Sequence, residues 1–336
     1  MNLYPLLMAP AFRYGKATPW GGHMLRDVFM KDAPDNTGES LEVSTLEGLE
    51  SMVANGAHAG KSLTRMVELW GEDLTGPIEG GFPLVLKLLD AQEPSSVHVH
   101  PDDAYARAHG GARGKNEGLV ILNAEPGAKM VYGLKTDGES LKAILDGGSV
   151  GEHLRWVNVQ PGDVYYIPAG MVHALGSEIQ CYELQDACDI TYRLYDWDRT
   201  DRDGQPREKH PEQALDVTDP DLALYKNEGT TVLRKGCSVT YYISNTHFEF
   251  CRLNISGKMP LPSGRMLLLT PLGECALHWG EEQMTLAPFS TVIVPAAMEG
   301  VVIEGNTKVL MSSLPDREAL REELGYRAEN VAGLMD

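Results

Sequence analysis

Residues 96–103 read Ser-Val-His-Val-His-Pro-Asp-Asp, and residues 162–173 read Gly-Asp-Val-Tyr-Tyr-Ile-Pro-Ala-Gly-Met-Val-His. The first stretch favours a strand, and side chains two apart on a strand share one face, so His98 and His100 point the same way. The second stretch predicts a turn, a strand, a Pro-Gly corner and a returning strand that carries His173. If the two stretches are neighbours in one small barrel, three imidazoles converge inside it and form a metal site.

A carboxylate is the expected fourth ligand of such a site. Glu117, in Gly114-Lys-Asn-Glu just before an apolar strand, is the candidate. Three histidines and one carboxylate suit Zn²⁺, and they also suit Fe²⁺, Mn²⁺ or Ni²⁺. The remaining histidines lack such partners and are predicted to be structural or surface residues; among them are His109, His153, His210, His247 and His278.

Composition limits the classes of partner. The chain has 336 residues, 43% of them hydrophobic and 23% charged, which allows two domains and a substantial core. Its formal net charge is −19, which argues against nucleic acid or an anionic membrane as a partner. An anionic substrate must therefore be met by a local cluster of Lys and Arg.

Cysteine usage and hydropathy indicate the compartment. The five cysteines are scattered and form no Cys-x-x-Cys pair, so we expect no disulfide framework and a reducing cytoplasm. No apolar run approaches the roughly 20 residues of a membrane-spanning helix. The N-terminus also lacks the pattern of a secretory signal, and we expect a cytoplasmic protein.

Short β-rich runs separated by Gly or Pro dominate the chain and predict a sandwich or barrel. The predicted strands lie at 82–91, 120–122, 129–132, 164–167, 179–184, 238–243, 248–253, 266–270 and 291–294. Predicted helices lie at 63–70 after a Ser62 cap, at 102–109, 140–146 and 211–215, and at 313–324, capped by Ser313 and followed by Gly325.

Two stretches indicate an internal repeat. Residues 286–297 and 159–170 both run Pro, six residues, Pro, Ala, but Met298 and Glu299 follow where the second copy would need its histidine. We therefore predict a catalytic metal-binding domain at 1–230, including an N-terminal extension and a polar connector at 199–229. A related, metal-free β-domain follows at 231–313, and a C-terminal helix at 314–336.

The motifs resemble the cupin superfamily, with residues 162–173 as its second motif and His98, His100 and Glu117 as its first. More narrowly, they resemble the zinc-dependent phosphomannose isomerases of the short bacterial form over roughly residues 1–215. The resemblance over the C-terminal domain is loose. The segments that carry it are Trp20-Gly-Gly, Phe82–Lys87, Ser96–Asp103, Gly114–Glu117, Asn123–Lys129, Ile167–Ala174 and Asp189–Arg199.

The resemblance implies a mainly β fold: a cupin barrel (a double-stranded β-helix, or jelly roll) with small helical additions and a second cupin-like β-domain. It implies interconversion of mannose 6-phosphate and fructose 6-phosphate by metal-assisted proton transfer through a cis-enediol. One zinc ion per catalytic domain would be held by His98, His100, Glu117 and His173. His98 stands where the family usually has Gln.

The same resemblance implies a sugar-phosphate pocket containing Ser96, Lys87, Lys115 and Asp189 for substrate binding. Arg193, Lys115 and Glu183 are the candidate catalytic residues, because isomerisation needs charge-assisted hydrogen bonds to the enediolate and a base. Burial would raise the pKa of Glu183 toward a useful value, while Asp189 and a metal-bound water stay open as the base.

Two other functions are compatible with the predicted metal ligands. Three His and one Glu also hold iron, so an Fe-dependent oxygenase or another cupin metalloenzyme is one alternative. A sugar-phosphate-binding cupin without turnover is the other. In each case we expect a small-molecule partner, and a homodimer is compatible with the sequence.

Overall fold

The computed structural model describes residues 3–136, 140–200, 204–222 and 226–335. As predicted, the chain is mainly β. Over these residues it forms strands β1 to β21 and short helices α1 to α7, numbered along the chain. No helix in this part of the chain is long and apolar enough to cross a membrane.

The largest sheet has ten strands. Its order is β14 (Thr230–Arg234), β15 (Cys237–Ser244), β16 (Glu249–Pro260), β21 (Val302–Ser313), β17 (Leu267–Pro271), β20 (Thr291–Val294), β1 (Leu6–Ala9) and β4 (Met52–Val53). Two further strands form a hairpin, β18 (Cys275–Trp279) with β19 (Glu282–Leu286), and β18 pairs with β21.

Two smaller antiparallel sheets build the metal-binding region. The six-stranded order is β10 (Val164–Ile167), β7 (Glu117–Ala124), β12 (Ile179–Asp186), β5 (Leu84–Ala91), β3 (Thr37–Val43) and β2 (Ala11–Tyr14). The five-stranded order is β13 (Tyr192–Tyr195), β6 (Val97–Val99), β11 (His173–Ala174), β8 (Lys129–Leu134) and β9 (Leu154–Asn158).

The helices are short and lie between strands. They are α1 (Met24–Asp27), α2 (Leu63–Trp70), α3 (Glu72–Thr75), α4 (Asp103–Ala108), α5 (Leu141–Asp146), α6 (Pro211–Val217) and α7 (Arg317–Leu324). Single 3-10 turns occur at Gly56–His58, Val150–His153 and Gly325–Asn330.

Contacts between Cα atoms divide the chain into two units. One contains Met1–Ala11, Leu41–Leu86 and Asn227–Asp336, and the other contains Phe12–Ser40 and Lys87–Lys226. The N-terminal strand β1 belongs to the first unit because it pairs antiparallel with β20. This grouping differs from our sequence-based division, in which residues 1–230 form one domain. The pairing of β1 with β20 joins segments that are far apart along the chain.

The pleat of β6 decides where the metal site can form. Val97 and Val99 pack into an apolar cluster with residues of α5 and α6, on the outer face of the five-stranded sheet. Met130 and Tyr132 of β8 contribute instead to a cluster with Leu119 of β7, so the two sheets enclose a common core. His98, between the two valines, faces this interior.

The predicted strands and helices are present, with one corrected cap and one shorter helix: the C-terminal helix predicted over 314–336 is α7, which ends at Leu324 and is followed by the 3-10 turn at Gly325–Asn330. Ser62 and Ser140 accept hydrogen bonds from the backbone N–H groups of Arg65 and Ala143, as helix N-caps do. We expected Ser313 to cap the last helix, but Ser313 ends β21. Asp316 caps α7 instead, because the strand continues through Ser313 and Pro315 comes just before the helix.

The connector and the repeat can be described in part. Helix α6 lies where a short helix was predicted, while residues 201–203 and 223–225 of the predicted connector lie outside the described residues. In the repeat, β10 and β20 each follow a turn and lead into another turn. The two copies therefore share their local structure.

Candidate metal centre and pocket

Three histidine side chains converge on one point inside the smaller sheets. His173 lies directly opposite His98 in the antiparallel pairing of β11 with β6. His100 follows β6, and its ring centroid is 4.9 Å from that of His98 and 5.1 Å from that of His173. One ligand nitrogen from each ring lies within 4.8 Å of the others, as a shared metal ion requires.

Backbone carbonyls fix the tautomer of each ring. The Nδ1 atom of His98 donates to the Ser96 carbonyl at 2.6 Å, that of His100 to the carbonyl of Ile190 at 2.9 Å, and that of His173 to the carbonyl of Met171 at 2.9 Å. With the proton on Nδ1, each Nε2 keeps its lone pair. This is how backbone partners orient metal-binding histidines.

Glu117, the first residue of β7, brings a carboxylate to the same point. Its Oε1 lies 3.2 Å from His100 Nε2, and its Oε2 lies 3.0 Å from His173 Nε2. His100 Nε2 and Glu117 Oε2 are buried and have no hydrogen-bond partner among the described residues. Buried polar atoms without partners are costly, and a cation bound between them would satisfy both. The donor set therefore fits a divalent metal.

Burial tunes the protonation of this set. It lowers the pKa of His98 well below its usual value, helped by the neighbouring His173. It also lowers the pKa of His100 to about 3, helped by Lys115. Burial alone would raise the pKa of Glu117, but Lys115 and the imidazoles hold it well below the usual range. Near neutral pH the imidazoles of His98 and His100 are thus neutral and the Glu117 carboxylate is ionised, which is the ligating form of each.

Two glycines allow the ligand-bearing segments to approach one another. A Cβ on Gly114 would stand 2.3 Å from the carbonyl carbon of Asp102, so only glycine fits between the 114–117 segment and the start of α4. Gly170, at the predicted Pro-Gly corner, has φ +88° and donates its N–H to the His100 carbonyl at 2.9 Å. The corner is thereby tied to a ligand.

The metal-binding side chains form one wall of a cavity of about 290 Å³. All but one of the sequence-predicted site residues line it: Lys87, Ser96, His98, Lys115, Glu117, His173, Glu183, Asp189 and Arg193. The exception is His100, which is 1% exposed and lies behind the other ligands.

A chain of alternating charges crosses the cavity. Glu183 Oε1 lies 3.1 Å from Lys87 Nζ, which lies 3.5 Å from Glu39 Oε2. Arg13 extends the series, with its guanidinium 3.4 Å from Glu39 and 2.5 Å from the Asp189 carboxylate. Lys115 does not belong to this series of charges; its Nζ lies 3.0 Å from Glu117 Oε1.

The buried residues of this series of charges have shifted pKa values. Burial raises the pKa of Glu183, and Lys87 opposes that shift. Burial would lower the pKa of Lys87, but Glu183 and Glu39 outweigh it and raise the pKa above its usual value. Lys87 therefore stays charged beside a carboxyl group whose proton affinity is increased, which suits a group that takes up and returns a proton.

An arginine cluster forms another part of the cavity wall. Arg199 and Arg207 both bind the buried carboxylate of Asp196, with Nη2 to Oδ1 distances of 2.7 and 2.6 Å. Arg193 donates from Nη1 to the Glu208 carbonyl at 2.6 Å, and its buried Nε has no partner among the described residues. Burial and the charge of Arg207 lower the pKa of Arg193, so the cluster has an excess of positive charge.

Sequence reasoning missed several residues of this pocket. Arg13, Glu39 and Arg207 line the cavity but lie in segments without a recognisable motif. The one available signal was the net charge, which requires a local group of cations around any anionic substrate. His210, predicted to be structural, accepts a hydrogen bond from the Arg193 backbone N–H at 3.1 Å and so supports that arginine from outside the cavity wall.

The sequence is similar to those of known proteins. The family model described as phosphomannose isomerase type I, catalytic domain, matches residues 13–118. A curated mannose-6-phosphate isomerase from Streptococcus mutans is 33% identical over 300 residues, which is 87% of this chain and 94% of that protein.

Solved structures agree as well. The crystal structure of the mannose 6-phosphate isomerase from Bacillus subtilis matches with a TM-score of 0.85 at 31% identity, over 92% of this chain and 99% of the other. A mannose 6-phosphate isomerase described as holo and zinc bound shares the fold, with a TM-score of 0.73 at 14% identity over 93% of this chain and 100% of the other.

Proposed function

This chain belongs to the mannose-6-phosphate isomerase family, and on that premise we propose that it interconverts mannose 6-phosphate and fructose 6-phosphate. One observation carries the proposal. A converging set of three imidazoles and a carboxylate forms one wall of a single cavity, which is also lined by a buried carboxyl group beside a lysine and by arginines. These are the three things that aldose–ketose isomerisation of a sugar phosphate needs.

The metal is zinc, held by His98, His100, Glu117 and His173. Zinc takes imidazole and carboxylate ligands, and the two orphaned buried atoms on His100 and Glu117 support a cation there. When bound at such a site, a divalent metal supplies Lewis-acid polarisation of substrate oxygens. The zinc-bound relative of the same fold also supports this choice.

Glu183 moves the proton between C1 and C2 of the bound sugar, through a cis-enediol. Its side chain lines the cavity, and the pKa raised by burial brings its proton affinity closer to working pH. Lys87, 3.1 Å away, holds the carboxylate in place and limits the rise. A positioned base of this kind contributes roughly 10²–10⁴-fold in rate.

Lys115 and Arg193 stabilise the enediolate and bind the sugar oxygens through charge-assisted hydrogen bonds. Lys115 lies against the metal ligand Glu117, so its ammonium group stands beside the metal-binding end of the cavity. Arg193 pairs with His98 across β13 and β6, which places it on the strand next to that ligand. Charge-assisted hydrogen bonds from such groups are about twice as strong as neutral ones.

The substrate phosphate binds at the arginine end of the cavity, near Ser96. Lys87 and Lys115 each already face a carboxylate, whereas Arg193 and Arg207 belong to a cluster with excess positive charge. Guanidinium groups match the geometry of a phosphate better than point charges do. Lys87 and Lys115 thereby serve the reacting end of the sugar, and Asp189 orients Arg13 at the cavity wall.

The reaction takes place in the cytoplasm. All five cysteines lie within the described residues and are free, which suits a reducing compartment. The substrate is a small sugar phosphate, consistent with a cation-lined cavity of about 290 Å³ in an otherwise acidic chain.

Metal content and isomerase activity measured on one preparation test the function. We expect about one zinc per chain and formation of fructose 6-phosphate from mannose 6-phosphate in a coupled assay. Treatment with a chelator should remove both, and added zinc should restore both. Metal-replete protein that forms no fructose 6-phosphate, or that holds iron and consumes O₂, would contradict the proposal.

A further inference from the structure

The other unit contains a second cavity, of about 560 Å³. Glu249, at the start of β16, lines it. Cys251 and Leu253, two and four residues further along this strand, pack into the apolar core of the ten-stranded sheet. Side chains two apart share a face, so Glu249 points to the same side as that core, at its end. Such ends are common ligand sites in β-barrels.

Arg265, which precedes β17, reaches the same cavity. Its Nη1 lies 3.0 Å from Glu249 Oε1. Glu249 is 2% exposed, so a carboxylate and a guanidinium have both been drawn largely out of water. A buried ion pair repays this desolvation only when further hydrogen bonds complete it.

Those hydrogen bonds are incomplete. Glu249 Oε1 and Arg265 Nη1 are both buried and have no hydrogen-bond partner within the described part of the chain, since the contact between them lacks hydrogen-bond geometry. The other Glu249 oxygen has only a long contact, 3.5 Å, with the Ser244 hydroxyl. Glu249 Oε1 and Arg265 Nη1 therefore meet at the cavity as an ion pair whose remaining hydrogen-bonding capacity is open to a ligand.

Three of the four remaining charged residues at the cavity have partners of their own. Glu323 binds Arg234 at 2.6 Å, and Asp316 caps α7. Arg317 donates to the carbonyls of Gly333 and Leu334. The lining holds four carboxylates, those of Glu249, Asp316, Glu318 and Glu323, against the two guanidinium groups of Arg265 and Arg317. This negative balance disfavours a phosphate or carboxylate ligand, and the guanidinium of Arg265 beside Glu249 disfavours a cation there, which leaves a neutral ligand.

We propose that Glu249 and Arg265 form a second ligand site that takes a neutral polyhydroxy compound, an unphosphorylated monosaccharide or polyol. One hydroxyl would donate to Glu249 Oε1, and its neighbour would accept from Arg265 Nη1. Tyr241, which also lines the cavity, supplies an aromatic wall for the apolar face of the ligand. The proposal stands on this unit alone and does not depend on the isomerase activity.

Ligand-observed NMR and calorimetric titration of the metal-loaded full chain test the site, with D-mannose and mannitol as probes. We expect saturable binding of at least one probe. Arg265→Gln and Glu249→Gln should each weaken it about tenfold or more, because each removes a hydrogen bond to a charged group. Arg265→Lys keeps the charge beside Glu249 but not the guanidinium geometry, and it should weaken binding even where the Gln variants fail to fold.

Two variants provide controls. Arg252→Gln makes the same change on β16, three residues from Glu249, at a side chain that stacks on Tyr242. Arg193→Gln alters the metal-binding cavity of the other unit. Arg252→Gln should bind the probe as the unaltered chain does, and Arg193→Gln should keep the binding that Arg265→Lys weakens. The proposal is overturned if the unaltered chain binds neither probe saturably, if Arg265→Lys leaves binding unchanged, or if Arg193→Gln abolishes it.

Discussion

The His98 and His173 rings lie 4.3 Å apart, centroid to centroid, because the two residues are direct partners in the antiparallel pairing of β6 with β11. Residues that face each other across an antiparallel pair are held by the backbone of both strands. The two imidazoles are therefore positioned by the sheet before any metal arrives. His100, just after β6, and Glu117, at the start of β7 in the six-stranded sheet, complete the set.

Replacement of His98 tests its place among the ligands. We expect His98→Ala to lose zinc affinity by more than the roughly 10–100-fold typical of losing an outer-shell partner. His98→Gln should keep part of the affinity, because an amide oxygen can ligate where the family usually has Gln. Zinc per chain after dialysis against a graded chelator measures both. His109→Ala, at an exposed histidine, is the control, and equal zinc retention by His98→Ala and this control would refute the ligand assignment.

Replacement of Glu183 separates proton transfer from metal binding. Glu183→Gln should lower kcat by about 10²–10⁴-fold, because it removes a positioned base, while zinc content stays at one per chain. Isomerase assays on metal-analysed samples give both values. Glu125→Gln, an exposed glutamate on a turn, is the matched control. A Glu183→Gln protein that keeps full kcat would mean that another group carries the proton.

Loss of Arg207 from the proposed phosphate site should appear mainly in substrate affinity. Arg207→Gln removes one guanidinium from the cavity wall, and a charge-assisted hydrogen bond of about 1.5–3 kcal/mol corresponds to roughly 10–100-fold in kcat/KM. We expect the change in KM for mannose 6-phosphate rather than in kcat. Arg155→Gln, at an exposed arginine, is the control. A reduced kcat with an unchanged KM would place Arg207 at the reacting end instead.

Asp196 should make stability depend on acidity. Burial tends to raise its pKa, but its hydrogen bonds from Arg207 and Arg199 prevail, so its pKa in the folded state lies below the usual 3.8. A carboxylate with a depressed pKa contributes stability that is fully present above the unfolded value and is lost as the pH falls through the folded value.

The test is the difference in melting temperature between the unaltered chain and Asp196→Asn. We expect a clear deficit for the variant at pH 6 that shrinks below pH 3.8. Comparing the two proteins at each pH cancels any metal loss that they share. Asp146→Asn, at an exposed carboxylate that pairs with Lys142 on α5, should show a much smaller deficit. A deficit that is constant over this range would contradict the assignment.

Gly114 should tolerate no side chain. The added methyl group of Gly114→Ala would meet backbone atoms of Asp102 and Asp103 at 2.3 and 2.6 Å, and overpacking of this kind costs about 1–3 kcal/mol. We expect both a lower free energy of unfolding and weaker zinc retention, because the displaced segment carries Lys115 and Glu117. Gly81→Ala has open space around the new methyl group and should change neither property. Unchanged zinc retention in Gly114→Ala would show that the close approach does not position Glu117.

Several features could be predicted because their cause is local. The alternation of Val97, His98 and Val99 fixes which face each side chain takes, whatever the strand pairs with. The Pro-Gly corner before His173 needs a positive φ at Gly170, and the sequence provides the glycine. Composition likewise predicted a cation cluster without saying where it would be.

The rest depended on tertiary structure, because contacts between distant segments leave no periodic trace in the chain. Arg13 and Glu39 reach the pocket only through the pairing of strands that no motif marks, and Lys87 is neutralised by partners 48 and 96 residues away in the sequence. The sequence predicted Ser313 as a helix cap, but Ser313 is the last residue of β21, and Asp316 caps the helix instead. Glu249 and Arg265 are isolated charges in the sequence, and no motif there indicates that they meet. Local backbone preference determined the elements and the faces of the metal ligands, while long-range strand register decided which charges share a cavity.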